Sequence, residues 1–154
     1  MLLSSAIIII SQEENNMLFE TNKDKGRAGM ALGIAWFGAN GYTVNVPLND
    51  TQWYDFIVEK DGVFQTVQCK ATGSKDGRID FRCTGGTDGG IYDHALKHPV
   101  DWLFCLNQEG KMFVIPAEDM RKAGVGNGIT LRTEPPSALA TRIKFDTSKY
   151  LVTL

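Results

Sequence analysis

The 154-residue sequence predicts a single α/β domain, a mixed β-sheet flanked by helices, and three stretches carry that prediction. Trp53–Lys70 places two β-prone runs on either side of Asp61-Gly62, the strongest short-range hairpin signal. A helical run extends from about Lys25 to Ala39, introduced by the N-cap candidates Thr21-Asn22-Lys23-Asp24 and closed by Asn40-Gly41. Asp101–Asn107 is almost continuously apolar, as expected of a central strand buried on both faces. One domain is expected at this length, and it is long enough to bury a real core. A hydrophobic content of 43% with 22% charged residues is ordinary for a soluble globular protein.

The remaining elements follow in order. Residues 1–20 form an N-terminal extension ahead of a domain at 21–154. Its apolar part, ending in Ile7–Ile10, is too short to span a bilayer and lacks the basic start and cleavage site of a secretory signal. The extension is expected to be poorly ordered or loosely docked, with a short edge strand as the alternative. In the helix, Ala28, Ala31, Leu32 and Ala35 recur at helical spacing, widened by Ile34 and Phe37. Gly29 and Gly33 are poor helix formers, but small residues four apart let a backbone come close, here to the sheet. Tyr42–Leu48 reads as a strand with Pro47 at its exit, and Arg78–Cys83 as an alternating strand. Thr84–Gly90 is a glycine-rich loop and Ile91–His98 a short helix. Lys111–Pro116 is a strand, Ala117–Ala123 a short helix and Ile129–Arg132 a short strand. Pro135-Pro136 opens a tail with room for a helix at Ser137–Arg142 and a strand at Tyr150–Leu154.

Charge and cysteine content narrow the function. The net charge is −2, but residues 1–20 hold three Glu and no Lys or Arg, so residues 21–154 carry 16 − 15 = +1. That is not a strongly basic chain, so binding to nucleic acid must come from local patches, bound metal ions or assembly. Cys69, Cys83 and Cys105 are an odd set without framework spacing, which argues against a disulfide scaffold. Combining Cys69 and Cys83 with His94 and His98 gives the wrong spacing for the usual zinc fingers, and buried thiols are the better account.

The chemistry lies in the hairpin. With Asp61 and Gly62 at the turn, Lys60 faces Val63 and Asp55 comes opposite Gln68. Alternation puts Thr66, Gln68 and Lys70 on the face of Asp55, and Val67 and Cys69 on the other. A carboxylate, an amide and an ammonium make an expensive core, so they point to a site. Asp55, the Gln68 amide oxygen and the Cys69 main-chain carbonyl are hard oxygen donors suited to Mg²⁺. Lys70 is placed to touch an attacking water or a scissile phosphate, so the set suits phosphodiester hydrolysis. The alternative is an ordinary Asp55–Lys70 ion pair, worth about 0–1 kcal/mol.

A helix, a strand, an Asp on the next strand, a turn and then Gln-x-Lys resembles the PD-(D/E)XK (restriction-endonuclease-like) core. The wider pattern resembles the PD-(D/E)XK homing endonucleases associated with group I introns. It comprises Lys23-Asp24-Lys25-Gly26, Asn40-Gly41-Tyr42-Thr43-Val44, Val46-Pro47-Leu48, Tyr54-Asp55-Phe56-Ile57-Val58, Val67-Gln68-Cys69-Lys70 and Ile129-Thr130-Leu131-Arg132. The resemblance covers about Asn22–Arg132 and implies Mg²⁺-dependent (or Mn²⁺-dependent), sequence-specific cleavage of double-stranded DNA. It implies Asp55, Gln68 and Lys70 as catalytic residues. Related nucleases often carry a helix Glu near the metal; none occurs from Lys25 to Ala39, and Glu20 is the candidate substitute as catalytic residue and metal ligand. A junction-resolving nuclease of the same core, or a DNA-binding module without catalysis, are the rival expectations. One site per chain implies a homodimer or homotetramer for cutting two strands. Lys23, Lys25, Arg27, Lys75, Arg78 and Arg82 are the DNA contacts expected from charge. The protein is expected to be cytoplasmic and nucleoid-associated, not secreted and without a membrane partner.

Overall fold

The computed structural model describes residues 19, 21–49, 51–81, 100–126, 128–138, 140 and 143–154. Glu20, Arg82, Cys83, His94 and His98 lie outside the described residues, as do the expected loop at 84–90 and helix at 91–98.

Helix α1 (Asn22–Ala39) begins at Thr21, whose hydroxyl accepts from the Asp24 amide at 3.2 Å, while the Asp24 carboxylate accepts from the Thr21 amide at 3.1 Å. This reciprocal capping box satisfies donors that the first turn would otherwise leave open. Asn40 and Gly41 end the helix, Gly41 at φ 82°. Strand β1 (Thr43–Asn45) leads through residues 46–55 to the hairpin of β2 (Phe56–Lys60) and β3 (Val63–Ala71). At its tip Asp61 and Gly62 have φ of 53° and 79°, the paired positive angles that a two-residue type I′ turn demands. Then come β4 (Arg78–Asp80), β5 (Trp102–Leu106), β6 (Met112–Pro116), α2 (Ala117–Lys122), β7 (Gly128–Thr130), a 3₁₀ turn (Thr147–Tyr150) and β8 (Leu151–Val152). Several strands are shorter than the sequence suggests. Of the helix expected at Ser137–Arg142, residues 139, 141 and 142 lie outside the described residues; Ala140 N–H donates to Ser137 O at 2.9 Å.

The main sheet has the order β1-β2-β3-β5-β6-β8 and is antiparallel except at β3–β5. Strands β4 and β7 form a separate antiparallel pair. Two cores cover the sheet. Phe37, Phe56, Val58, Val67, Phe104 and Leu106 pack on the α1 side. Leu103, Cys105, Phe113 and Ile115 pack on the other, against Ile79, Ile129 and Met120 from β4, β7 and α2. Strand β5 alternates between the two cores and is buried on both faces, as its unbroken apolar run requires.

The contact line of α1 keeps Phe37, Ala28, Leu32 and Ile34 of the stripe read in the sequence and drops two of its alanines. Gly29, Gly33 and Phe37 are the buried residues, while Ala31 and Ala35 are exposed. A side chain at Gly33 would meet Cys69 Sγ at 3.1 Å and the Phe104 ring at 3.2 Å, and one at Gly29 would meet Ala71 Cβ at 3.5 Å. Close approach thus selects the residues without side chains. It also sets the direction of α1, which runs back along β3 so that its first turn lies beyond the Lys70 end. There the Lys25 side chain rests on Gly73.

Candidate active site

The hairpin register is the expected one: Lys60 pairs with Val63, and the ladder continues to Phe56 opposite Val67. It stops one residue before Asp55. The Asp55 amide donates to the Val67 carbonyl at 2.8 Å, and the backbone then leaves β3. Beyond this point no described strand pairs with β3 on the β2 side. The Asp55 carboxylate lies there instead, its Oδ2 accepting from the Cys69 amide at 2.5 Å. In a strand the N–H and C=O of one residue point to the same neighbour. The Cys69 carbonyl therefore faces the same side, beside the carboxylate.

Alternation along β3 separates its two sets of side chains. Val67, Cys69 and Ala71 belong to the α1-side core. Gln68 and Lys70 take the opposite face, paired with Leu103 and Cys105 across the parallel ladder. Both are partly buried. The Lys70 charge acts on Asp55 and on the Cys105 thiol, which places its ammonium near both. Yet no ion pair joins Asp55 to Lys70, whereas Arg27 reaches Asp24, and Arg121 and Lys122 reach Glu118. The simple surface pair considered from the sequence is not what forms.

Burial pushes the Asp55 carboxyl above its ordinary value, opposed by the Cys69 N–H and by Lys70. Burial likewise drives the Cys69 thiol up, reinforced by the Asp55 charge, and raises Cys105 to about 12. Both are free thiols and stay protonated at neutral pH, as inert core groups do.

A partly buried carboxylate without an ion-pair partner fits a hard divalent cation. Its Oδ2 is anchored, leaving Oδ1 to coordinate, and the neutral oxygens of Gln68 and Cys69 lie on the same strand end. One carboxylate with neutral oxygens is a sparse set, suited to an ion completed by water and phosphate. Among the described residues no three His, Cys, Asp or Glu side chains gather into a metal site.

What holds β3 in place was not apparent from the sequence. The Asp101 carboxylate accepts from the Thr66 amide at 2.7 Å and from its hydroxyl at 3.0 Å, and the Asp101 amide donates back to Thr66 O at 3.2 Å. This clamp fixes the parallel β3–β5 register two residues before Gln68. An Asp ahead of a strand is too common a feature to announce it.

Of the residues expected to contact DNA, Lys25 lies beside Gly73, on the connection that carries exposed Lys75 and leads to exposed Arg78 at the start of β4. Lys23 is exposed; Arg27 reaches Asp24 at 3.8 Å. Asp76 sits between Lys75 and Arg78, its pKa lowered by hydrogen bonds from the Ser74 hydroxyl and the Arg78 amide. Two surface clefts, of about 440 and 450 Å³, lie away from Asp55, Gln68 and Lys70. No described helix is long and apolar enough to cross a membrane.

Known proteins share the fold and the sequence profile of this chain. A solved bacterial homing endonuclease, I-Ssp6803I, shares the fold with a TM-score of 0.59 at 20% identity, over 85% of this chain and 87% of its own. No curated protein sequence matches the chain. The sequence profile of the PD-(D/E)XK endonucleases matches residues 20–149, extending past the Arg132 limit of the sequence resemblance into the C-terminal segment. With most of its length matched and the mixed sheet in place, the chain belongs to the PD-(D/E)XK endonuclease family.

Proposed function

We propose that this protein is a divalent-metal-dependent endonuclease that hydrolyses phosphodiester bonds of double-stranded DNA at a specific sequence, with Asp55, Gln68 and Lys70 as catalytic residues. The observation that supports it is the Asp55 carboxylate, anchored by Cys69 N–H at the end of the β2–β3 ladder within the field of Lys70. Asp55, Gln68 and the Cys69 carbonyl would hold the ion, Mg²⁺ or Mn²⁺, with Glu20 as a further candidate from the sequence. Bound there, the ion would supply a water of lowered pKa and polarise the phosphate. The Cys69 amide keeps the carboxylate oriented, so little reorganisation is needed as charge develops. Lys70 places a positive charge on the same face and stabilises the negative charge that grows on the attacked phosphate. The cations at the start of α1 and on the β3–β4 connection would hold the duplex backbone. Homing to an intron insertion site, which the sequence resemblance implies, is the specific form of the proposal; I-Ssp6803I is itself titled a homing endonuclease. A homodimer or homotetramer would bring two such sites to the two strands.

The test uses the full chain, Asp55→Ala and Lys70→Ala on a plasmid pool with random inserts, in Mg²⁺ and in EDTA. Cleavage at a discrete subset of inserts is expected for the wild type, absent in EDTA, and at least about 100-fold slower in either variant. Activity that survives both substitutions would overturn the site. Preferential cutting of four-way junctions would make it a resolving nuclease, and metal-independent binding without cutting a DNA-binding module.

A further inference from the structure

Strands β4 and β7 bury one side of their ribbon and turn the other outward. Ile79, Ile129 and Leu131 enter the core beneath. Arg78 stands directly opposite Thr130, and the Leu131 amide, donating to the Gly77 carbonyl at 2.9 Å, carries the pairing on towards Arg132. By alternation Arg78, Thr130 and Arg132 share the outer face. The ribbon is tied to the active-site strand, because the Thr72 hydroxyl donates to the Arg78 carbonyl at 2.7 Å. Two residues of strand from Lys70 to Thr72, that hydrogen bond and one ladder step put Thr130 within about 20 Å of Lys70. That is about six base-pair steps at roughly 3.4 Å each, so one duplex is long enough to reach both.

The cleft of about 450 Å³ is lined by Thr130 and Arg132 of this ribbon, and its lining carries one sign of charge. Among the described residues there, Arg132 and Lys144 are the charged ones. The cleft of about 440 Å³ also includes Arg132, but sets it and Lys75 against Glu109 and Glu134. Neither Arg132 nor Lys144 is ion-paired to a described carboxylate. Asp146 feels the Arg132 charge, but its Oδ1 accepts from the Ser148 amide at 3.0 Å and hydroxyl at 2.7 Å. In a domain of net charge +1, two cations without a counter-charge mark a place for an anion. The glycines of the lining differ in their reasons. A Cβ at Gly128 would run into the Ile79 carbonyl, whereas one at Gly126 meets nothing within 4 Å, so a side chain there is free to enter.

We propose that the outer face of the β4–β7 ribbon and the cleft beside it hold backbone phosphates of the duplex flanking the cut, with Arg132 and Lys144 as the contacting cations. The identity of the partner rests on the nuclease reading, while the contact itself requires neither Asp55 nor a metal. The lining selects charge and carries no base-reading set, so this contact positions every sequence alike and leaves selection of the target to other residues.

The experiment is fluorescence anisotropy of a labelled random-sequence duplex, titrated with the full-length protein in EDTA from about 50 to 200 mM salt. Each phosphate contact contributes about 0.9 to the fall of log affinity with log salt. Arg132→Ala and Lys144→Ala are each expected to make that slope shallower by about 1, and the double variant by about 2. Arg132→Lys combined with Lys144→Arg keeps both charges and is expected to keep the wild-type slope. Gly126→Glu, placed in open space, is expected to bind about fivefold more weakly at low salt than the neutral Gly126→Gln. A wild-type slope in the double alanine variant, or equal binding by the two Gly126 variants, would overturn the proposal and leave the nuclease reading standing. The predicted slopes without cleavage in Mg²⁺ would do the reverse. No binding of the duplex by the wild type would overturn both.

Discussion

Asp55 carries a conflict that a bound cation would resolve. Burial raises its pKa, so between the ordinary carboxylate value and the raised one the folded chain holds a proton that the unfolded chain has released. Stability tied to this group is therefore full below the ordinary value, falls as pH rises through the window, and stays lowered at neutral pH. Asp55→Asn keeps an oxygen for the Cys69 amide but never ionises. In metal-free buffer the variant is expected to melt above the wild type at pH 7, with the gap closing below about pH 4. Millimolar Mg²⁺ is expected to raise the wild-type melting temperature and leave Asp55→Asn unmoved, because a ligand that binds only the folded state stabilises by mass action. A gap that is the same at pH 3 and pH 7 would remove desolvation as its cause. Counting from the two-residue turn places Asp55 opposite Gln68, but the ladder ends one residue earlier, at Phe56 and Val67. That its backbone would leave the ladder and its carboxylate cap Cys69 was not legible, because it depends on where β2 ends.

The same division between local and distant signals separates the elements. Helix α1 and the β2–β3 hairpin follow from neighbouring residues: Thr21 and Asp24 cap one end, and Asp61-Gly62 turn the other. The parallel pairing of β3 with β5 and the departure of β4 to join β7 are contacts between distant residues, which no short pattern encodes. The face of α1 was legible in part: Ala28, Leu32, Ile34 and Phe37 pack as their spacing suggests and Gly29 and Gly33 approach the sheet, while Ala31 and Ala35 stay exposed. Alanine gains about 1 kcal/mol over glycine inside a helix. At Gly29 the added methyl meets Ala71 Cβ at an ordinary 3.5 Å, so Gly29→Ala is expected to stabilise by about 0.5–1 kcal/mol. At Gly33 it comes within 3.1 Å of Cys69 Sγ and 3.2 Å of Phe104, a fully buried ring with little freedom to retreat. Overpacking costs about 1–3 kcal/mol, which outweighs the helical gain, so Gly33→Ala is expected to lose about 1 kcal/mol. Urea melts of the two variants decide it; effects of the same sign would refute a helix seated on β3 by its glycines.

At the scale of the whole molecule, each chain holds one Asp55 site at one end of one sheet, whereas a duplex has two antiparallel strands to cut. Two sites related by a two-fold axis meet that symmetry, and the near-neutral charge of residues 21–154 favours shared binding, since one copy presents few cations. The order of cutting tests this. If wild type and Asp55→Ala are co-expressed in equal amounts and assemble at random as dimers, about half the assemblies hold one working site. These are expected to nick a supercoiled plasmid carrying a cleavable insert without opening it, so nicked circles accumulate over linear product as the inactive share rises. A chain acting alone responds differently. Its inactive partner dilutes the rate, but the ratio of nicked to linear product at matched extents of reaction is unchanged. Sedimentation of the co-expressed material shows whether mixed assemblies have formed, and an unchanged ratio in their presence would mean that each copy cuts both strands in turn from a single site.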